Sequence, residues 1–285
     1  MKNYIFTDKA LTFAQNTDRF PLFTASISPI GESIWQCIFG DRQVIARGPQ
    51  LRQIDAEAYD ALCFLSFKSK EVGATFTATW REILVEMGRH VNAVARSALI
   101  ESVKRLHRTI FDDLPANFQN LEFVGLSNFE PQKLLPSVQI DDEHLTWTIG
   151  ERALFLSNVR PTEDKTFAGQ FGLQIREEAR KLSGDGVAYL LHRQFSARIA
   201  STKTVSFKTS TLISYAFGPS EGQDFKNRKR SVAKAIKKIK ELRNWKISKK
   251  SNGIFTVTRL EADPILKMRW LKHVGEANPA QVFSI

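Results

Sequence analysis

The chain has 285 residues, 42% hydrophobic and 25% charged, with 41 Lys+Arg against 30 Asp+Glu and a formal net charge of +11. This length fits a globular protein of two domains, and no run approaches the roughly 18 apolar residues that a bilayer-spanning helix needs. The charge is uneven: residues 1–160 hold 17 Lys/Arg and 19 Asp/Glu, whereas residues 161–285 hold 24 and 11, so the second half alone asks for a polyanionic partner.

In chain order, the first 20 residues read as polar and irregular. A strand at 33–39, a turn at Gly40-Asp41 and a return strand at 43–46 predict a β-hairpin. A helix is predicted to start at Asp55 as N-cap, carrying Tyr59, Leu62, Cys63 and Leu65. Thr79-Trp-Arg-Glu82 fits a capping box that opens a short helix, and Gly88 is its stop. A third helix is predicted over 92–111, with Leu99, Val103, Leu106 and Ile110 on one stripe and Ser97, Glu101, Lys104 and Arg108 opposite. β-like runs follow at 121–126, 137–140 and 145–149.

The same order then repeats. Residues 158–170, with Pro161, read as a linker. A helix is expected over 176–199, broken near Gly184-Asp185-Gly186. A short helix over 210–217 ends at Gly218. A long helix follows with Val232, Ile236, Ile239 and Leu242 on one stripe and Arg230, Lys234, Lys237 and Lys238 on the other. Between Lys226 and Lys250 there are twelve Lys or Arg and one acid, Glu241. Ser251-Asn252-Gly253 between two β-rich runs signals a hairpin. A final helix is expected near 265–274. The fold class expected is α+β, two winged-helix domains in tandem, each a helix-turn-helix plus a β-hairpin wing. Residues 1–160 make an N-terminal domain with a preceding β-hairpin, and 161–285 a basic C-terminal one.

A solvated cationic face on an ordinary surface helix is the plainer reading of 226–250. Twelve cations to one acid, with a basic hairpin appended, favour nucleic acid. A membrane surface is the competing polyanion, but the helix lacks the Trp/Phe/Leu-rich face of an interfacial helix. No GxxxxGK[ST], CxxC or HExxH occurs, and the five histidines are scattered, so no cofactor, metal or catalytic site is expected. Tyr215 and the His192-Arg193 pair read as packed structural residues. Asp112-Asp113 and Asp141-Asp142-Glu143 read as solvated turn acids. Cys37 and Cys63 read as reduced core residues of a cytoplasmic protein, with no secretory signal over 1–19.

The chain resembles iteron-binding plasmid replication initiators of the TrfA and RepC kind. The resemblance runs from about Phe20 to Leu260. Its pieces are Phe20-Pro-Leu-Phe-Thr-Ala-Ser26, Gly48-Pro-Gln-Leu51, Phe76-Thr through Gly88, Ser102-Val-Lys-Arg-Leu106, Leu182-Ser, and the run from Gly186 through Leu190-Leu191-His192-Arg193-Gln194 to Phe195. It closes with the Arg228-Lys-Arg helix and the hairpin around Gly253. The 127–136 segment departs from the pattern by being long for a wing tip.

The resemblance implies a non-enzymatic binder of double-stranded DNA with direct repeats at an origin. Such a protein opens adjacent AT-rich DNA and recruits a replicative helicase or host initiator. It acts as a monomer on iterons, with a possible homodimer off them. Carried over, DNA contacts fall on Asn227, Arg228, Lys229, Arg230, Ser231, Lys234, Lys237 and Lys238 of the second recognition helix, and on Lys249 and Lys250 of its wing. Asn92, Arg96, Ser97, Lys104 and Arg108 are the candidates in the first domain. The alternative is a winged-helix transcriptional regulator of a plasmid or phage gene. A nickase or recombinase would need a Tyr or metal constellation that the sequence lacks.

Overall fold

Helix α1 (Gln53–Lys68) packs its Ala58, Leu62 and Cys63 into the core. A strand, Thr75–Thr79, leads into α2 (Trp80–Met87). Thr79 forms the expected capping box, its hydroxyl accepting from the Glu82 amide while Glu82 accepts from the Thr79 amide at 2.8 Å. Gly88 ends α2 in the left-handed region, φ 75°, with its amide on the carbonyls of Leu84 and Val85. Helix α3 (Ala93–Arg108) is capped by Asn92 and buries Leu99, Ser102, Val103 and Leu106. The strands Ser137–Ile140 and His144–Thr148 close the unit, the latter pairing antiparallel with Thr75–Thr79.

The structure, a computed structural model, describes residues 3–7, 10–14, 22–25, 32–39, 42–68, 71–72, 75–115, 132–150, 171–200, 202–218, 222–250, 252–260 and 268–273. The run 121–126, the linker 158–170 and residues 127–131 lie outside these.

The chain is a mixed α+β protein. Helix α4 (Arg176–Lys181) and α5 (Gly186–Arg198) replace the single broken helix expected, separated at Gly184, φ 85°. Then the order of the first unit recurs. Strand Thr204–Lys208 leads to α6 (Thr209–Phe217), α7 (Gly222–Lys240) and the strands Trp245–Lys249 and Ile254–Arg259. The two three-stranded sheets have one topology. In each, the last strand lies centrally, between the strand before the short helix and the first strand of the closing hairpin, Ser137–Ile140 or Trp245–Lys249. Their exposed sides carry the same hydroxyl ladder, Thr77 against Thr146 at 2.8 Å and Thr204 against Thr258 at 2.9 Å. Trp147 anchors the first sheet to α1 through its indole N–H on Ser66, 2.9 Å.

Four local expectations need correction. Asp55 is not an N-cap: it lies inside α1, fully buried, accepting from the Arg52 amide and paired with Arg105 at 2.8 Å. The third helix stops at Arg108, because Thr109 leads into the strand Ile110–Pro115, which pairs with Arg42–Pro49 and takes in Asp112-Asp113. The first 20 residues contain strands Asn3–Thr7 and Ala10–Ala14. The final segment is a strand, Met268–His273, antiparallel to Asn3–Thr7. With Phe171–Ile175 and Glu71–Val72 these make a five-stranded sheet drawn from both halves of the chain. The expected hairpin is present as Glu32–Phe39 against Arg42–Pro49.

Candidate nucleic-acid interface

Helix α7 buries Val232, Ala235, Ile236 and Ile239 against the rest of its unit. That orientation exposes Asn227, Arg230, Lys234 and Lys237, which follow one another at i, i+3, i+7 and i+10 along the opposite side. Lys229 is also exposed. Lys234 and Lys237 have no ion-pair partner among the described residues, so their ammonium groups remain available to an anion.

The flanking candidates are engaged within the protein. Arg228 is half-buried, lies over the Phe217 ring at 5.2 Å from its centroid and pairs with Asp224 at 3.1 Å. The Ser231 hydroxyl donates back to the Asn227 carbonyl, 3.3 Å. Lys238 is exposed but its ammonium sits 2.7 Å from Asp185, the N-cap of α5. The helical period alone does not separate these from the free cations, since they border the same face.

The hairpin beside α7 is basic at its tip. Lys249 and Lys250 are exposed, and the Lys250 amide donates to the Ile254 carbonyl across the turn. Gly253 holds φ 69° there, and its carbonyl accepts from the amide and hydroxyl of Thr209, which fixes the hairpin to the start of α6.

The first unit presents a different surface. The Asn92 side chain is used as a cap, accepting from the Ala95 amide at 2.8 Å. Arg96 lies over Trp80, 5.2 Å from the ring centroid, and donates to the Asp141 carbonyl. Both side chains are therefore tied down by the protein itself, Asn92 while still exposed and Arg96 half-buried. Ser97 and Arg108 are exposed, and Lys104 is exposed with Glu101 at 2.7 Å. The hairpin tip here is a tight acidic turn, Asp141–Glu143, and not the long 127–136 segment. Asp141 accepts from the amides of Glu143 and His144, which lower its pKa.

Between the units lies a set of buried ion pairs that sequence reasoning missed. Glu86 of α2 receives Arg176 and Arg180, each at 2.9 Å. Asp60 of α1 accepts from Arg193 at 3.2 Å and from the Tyr189 hydroxyl at 2.9 Å. Glu57, with Arg89 at 2.7 Å, also accepts from the Gly184 amide and the Ser183 hydroxyl. A signal existed: four acids, Asp55, Glu57, Asp60 and Glu86, stand among the core apolar residues of α1 and α2, where an unpaired charge would be costly. His192 and Arg193 prove to be packed residues as expected. His192 is fully buried against Glu178 at 3.2 Å. Among the described residues no group of three or more His, Cys, Asp or Glu is arranged to hold a metal ion, and no helix is long and apolar enough to cross a membrane.

Solved structures share this arrangement. The crystal structure of RctB domains 2-3 matches with a TM-score of 0.54 at 13% identity, covering 88% of this chain and 98% of that one. A selenomethionine form of RctB domains 2 and 3 matches with a TM-score of 0.54 at 14% identity, covering 84% and 93%. The likeness is one of fold, and it spans both units. No protein-family model and no curated protein matches the chain by sequence.

Proposed function

We propose that this protein is a non-catalytic replication initiator that binds double-stranded DNA through two winged helices, residues 1–160 and 161–285. In this reading α3 and α7 are the recognition helices, and the hairpins 137–148 and 245–259 are the wings. One observation carries it. The stripe of α7, Asn227, Arg230, Lys234 and Lys237, is exposed, and the hairpin that follows α7 carries exposed Lys249-Lys250 at its tip, the two basic elements that a helix in a major groove and a wing on the backbone require. Arg230 suits guanine O6/N7 and Asn227 suits adenine N6/N7. The lysines suit phosphate and would supply most of the affinity. The fold shared with RctB domains 2-3 over most of the chain agrees with this reading. Binding to direct repeats, melting of adjacent AT-rich DNA and recruitment of a helicase complete the proposal.

The test is selection of bound duplexes from a random pool by the full chain, followed by affinity against salt. One asymmetric site of roughly two helical turns, bound by one protein, is the expected result. A palindromic site bound only by dimers would favour a transcriptional regulator. Salt-dependent binding without an enriched sequence would overturn the proposal.

A further inference from the structure

The two long helices bury matching positions. Leu99, Ser102, Val103 and Leu106 of α3 and Val232, Ala235, Ile236 and Ile239 of α7 are all buried, at the same spacing of three, one and three. Aligning them places Val94 opposite Asn227, Ser97 opposite Arg230 and Glu101 opposite Lys234, and all six are exposed. The fourth position matches, Lys104 standing opposite Lys237, so the outward faces are equivalent in position and differ in chemistry at three of four places. Where α7 offers an amide, a guanidinium and an ammonium, α3 offers an isopropyl group, a hydroxyl and a carboxylate.

Val94 is 80% exposed, and Val91, three residues before it, is 52% exposed; with Val85 they are three of the five large apolar side chains exposed among the described residues. The sequence 87–100 around Val91 and Val94 contains Arg89, His90 and Arg96 and no acid, and Glu101, one turn beyond Ser97, is paired with Lys104 at 2.7 Å. The acidic tip Asp141–Glu143 keeps the hairpin of this unit from phosphate in the way that Lys249-Lys250 would bind it. A contact made by this unit then comes from α3, which carries Val94 and Ser97 near its start and the exposed cations Lys104 and Arg108 further on. The one apolar group that a base pair shows in the major groove is the thymine C5-methyl.

We propose that Val94 of α3 reads thymine methyl groups in the major groove, so that the two units read different halves of one site by different chemistry. The first half is read by apolar contact, the second by hydrogen bonds from α7. This rests on the DNA-binding reading above, which would stand without it. Salt sensitivity then belongs mostly to the second half, with Lys104 and Arg108 the exposed cations of the first.

The full chain is titrated with its selected duplex and with two substituted series. In one, each thymidine in turn is replaced by deoxyuridine, which lacks only the methyl. In the other, each guanine is replaced by 7-deazaguanine, which lacks the N7 acceptor. Uracil should weaken binding about fourfold per contacted methyl, the loss expected for about 0.8 kcal/mol per apolar carbon buried, and only in one half of the site. Deazaguanine should act in the other half. Val94→Ala should bind thymine and uracil duplexes alike while keeping its deazaguanine sensitivity, and Arg230→Ala should show the reverse. Both side chains are exposed, so an unchanged melting curve is expected for each. Indifference of the wild type to uracil throughout a site it still selects would overturn this inference alone, as would a Val94→Ala variant as uracil-sensitive as the wild type. Absence of any selected duplex would overturn it together with the DNA-binding reading.

Discussion

Asp60 shows how much one side chain can hold. It is fully buried and serves the guanidinium of Arg193 and the hydroxyl of Tyr189, whose pKa burial and the Asp60 charge push well above 10. Asp60→Ala would leave the Arg193 charge in the interior without that carboxylate. A loss of about 3–5 kcal/mol is expected, read from urea unfolding of the full chain. The exposed pair Glu177–Lys181 is the control, and Glu177→Ala should scarcely move the midpoint. Glu178 titrates differently. Burial acts to raise its pKa, but hydrogen bonds from His192, Trp245 and Asn244 outweigh it and hold the carboxyl at about 2, below its ordinary 4.5. A depressed folded-state pKa stabilises the protein above pH 4.5, and the contribution disappears as pH falls through about 2. The increment is about 3 kcal/mol. Glu178→Gln should therefore flatten the stability profile between pH 4.5 and 2. A variant with the wild-type slope in that window would show that Glu178 is not the group responsible.

At the scale of elements, α7 divides its own cations. Among the described residues Lys234 and Lys237 have no ion-pair partner, whereas Lys238 is bound to Asp185, which raises its pKa. Lys234→Ala with Lys237→Ala should reduce the slope of log affinity against log salt by about 0.9 for each phosphate no longer neutralised. Lys238→Ala should change it less, because that charge is already partly neutralised within the protein. Equal effects of all three, measured by fluorescence titration at several salt concentrations, would mean that the Asp185 pair opens on DNA. The helices and their stops were the legible part of the sequence, because their signals are local: the capping box at Thr79, Gly88, Gly218, and the apolar stripe from Val232 to Ile239. The sheet partners were not. Asn3–Thr7 pairs with Met268–His273 across almost the whole chain, and nothing near either segment announces the other. The run Met-Arg-Trp-Leu-Lys-His suits a short helix as well as a strand, and only the distant partner decides. Within the candidate site the exposed stripe was legible from its period. The inward turn of Arg96 over Trp80 and the capture of Lys238 depend on neighbours from other elements.

Across the whole molecule the uneven charge is partly neutralised within the protein. Part of the surplus in the second half is internal, since Arg176, Arg180 and Arg193 meet Glu86 and Asp60 of the first. Gly88 adds a close approach. A Cβ there would stand 2.6 Å from the Arg180 carbonyl, on a backbone at φ 75°. Buried ion pairs need close geometry to offset their desolvation, so they resist small displacements of one unit against the other. On the proposed reading, in which α3 and α7 are the recognition helices, these contacts would restrain one unit against the other, and the two halves of a bound site would have to match that spacing. Inserting one base pair between the halves of the selected duplex should already weaken binding. Inserting five, which turns one half about half a turn around the axis, should remove the joint engagement and cost about a hundredfold. The protein would then be left on the half read by α7, with its salt dependence intact. Glu86→Gln combined with Asp60→Asn loosens the junction while keeping side chains of the same size. If that variant stays folded by circular dichroism, it should lose less affinity on insertion than the wild type does. Affinity of the wild type that is indifferent to spacer length would show that the units move independently on DNA, and the ion pairs would then serve stability alone.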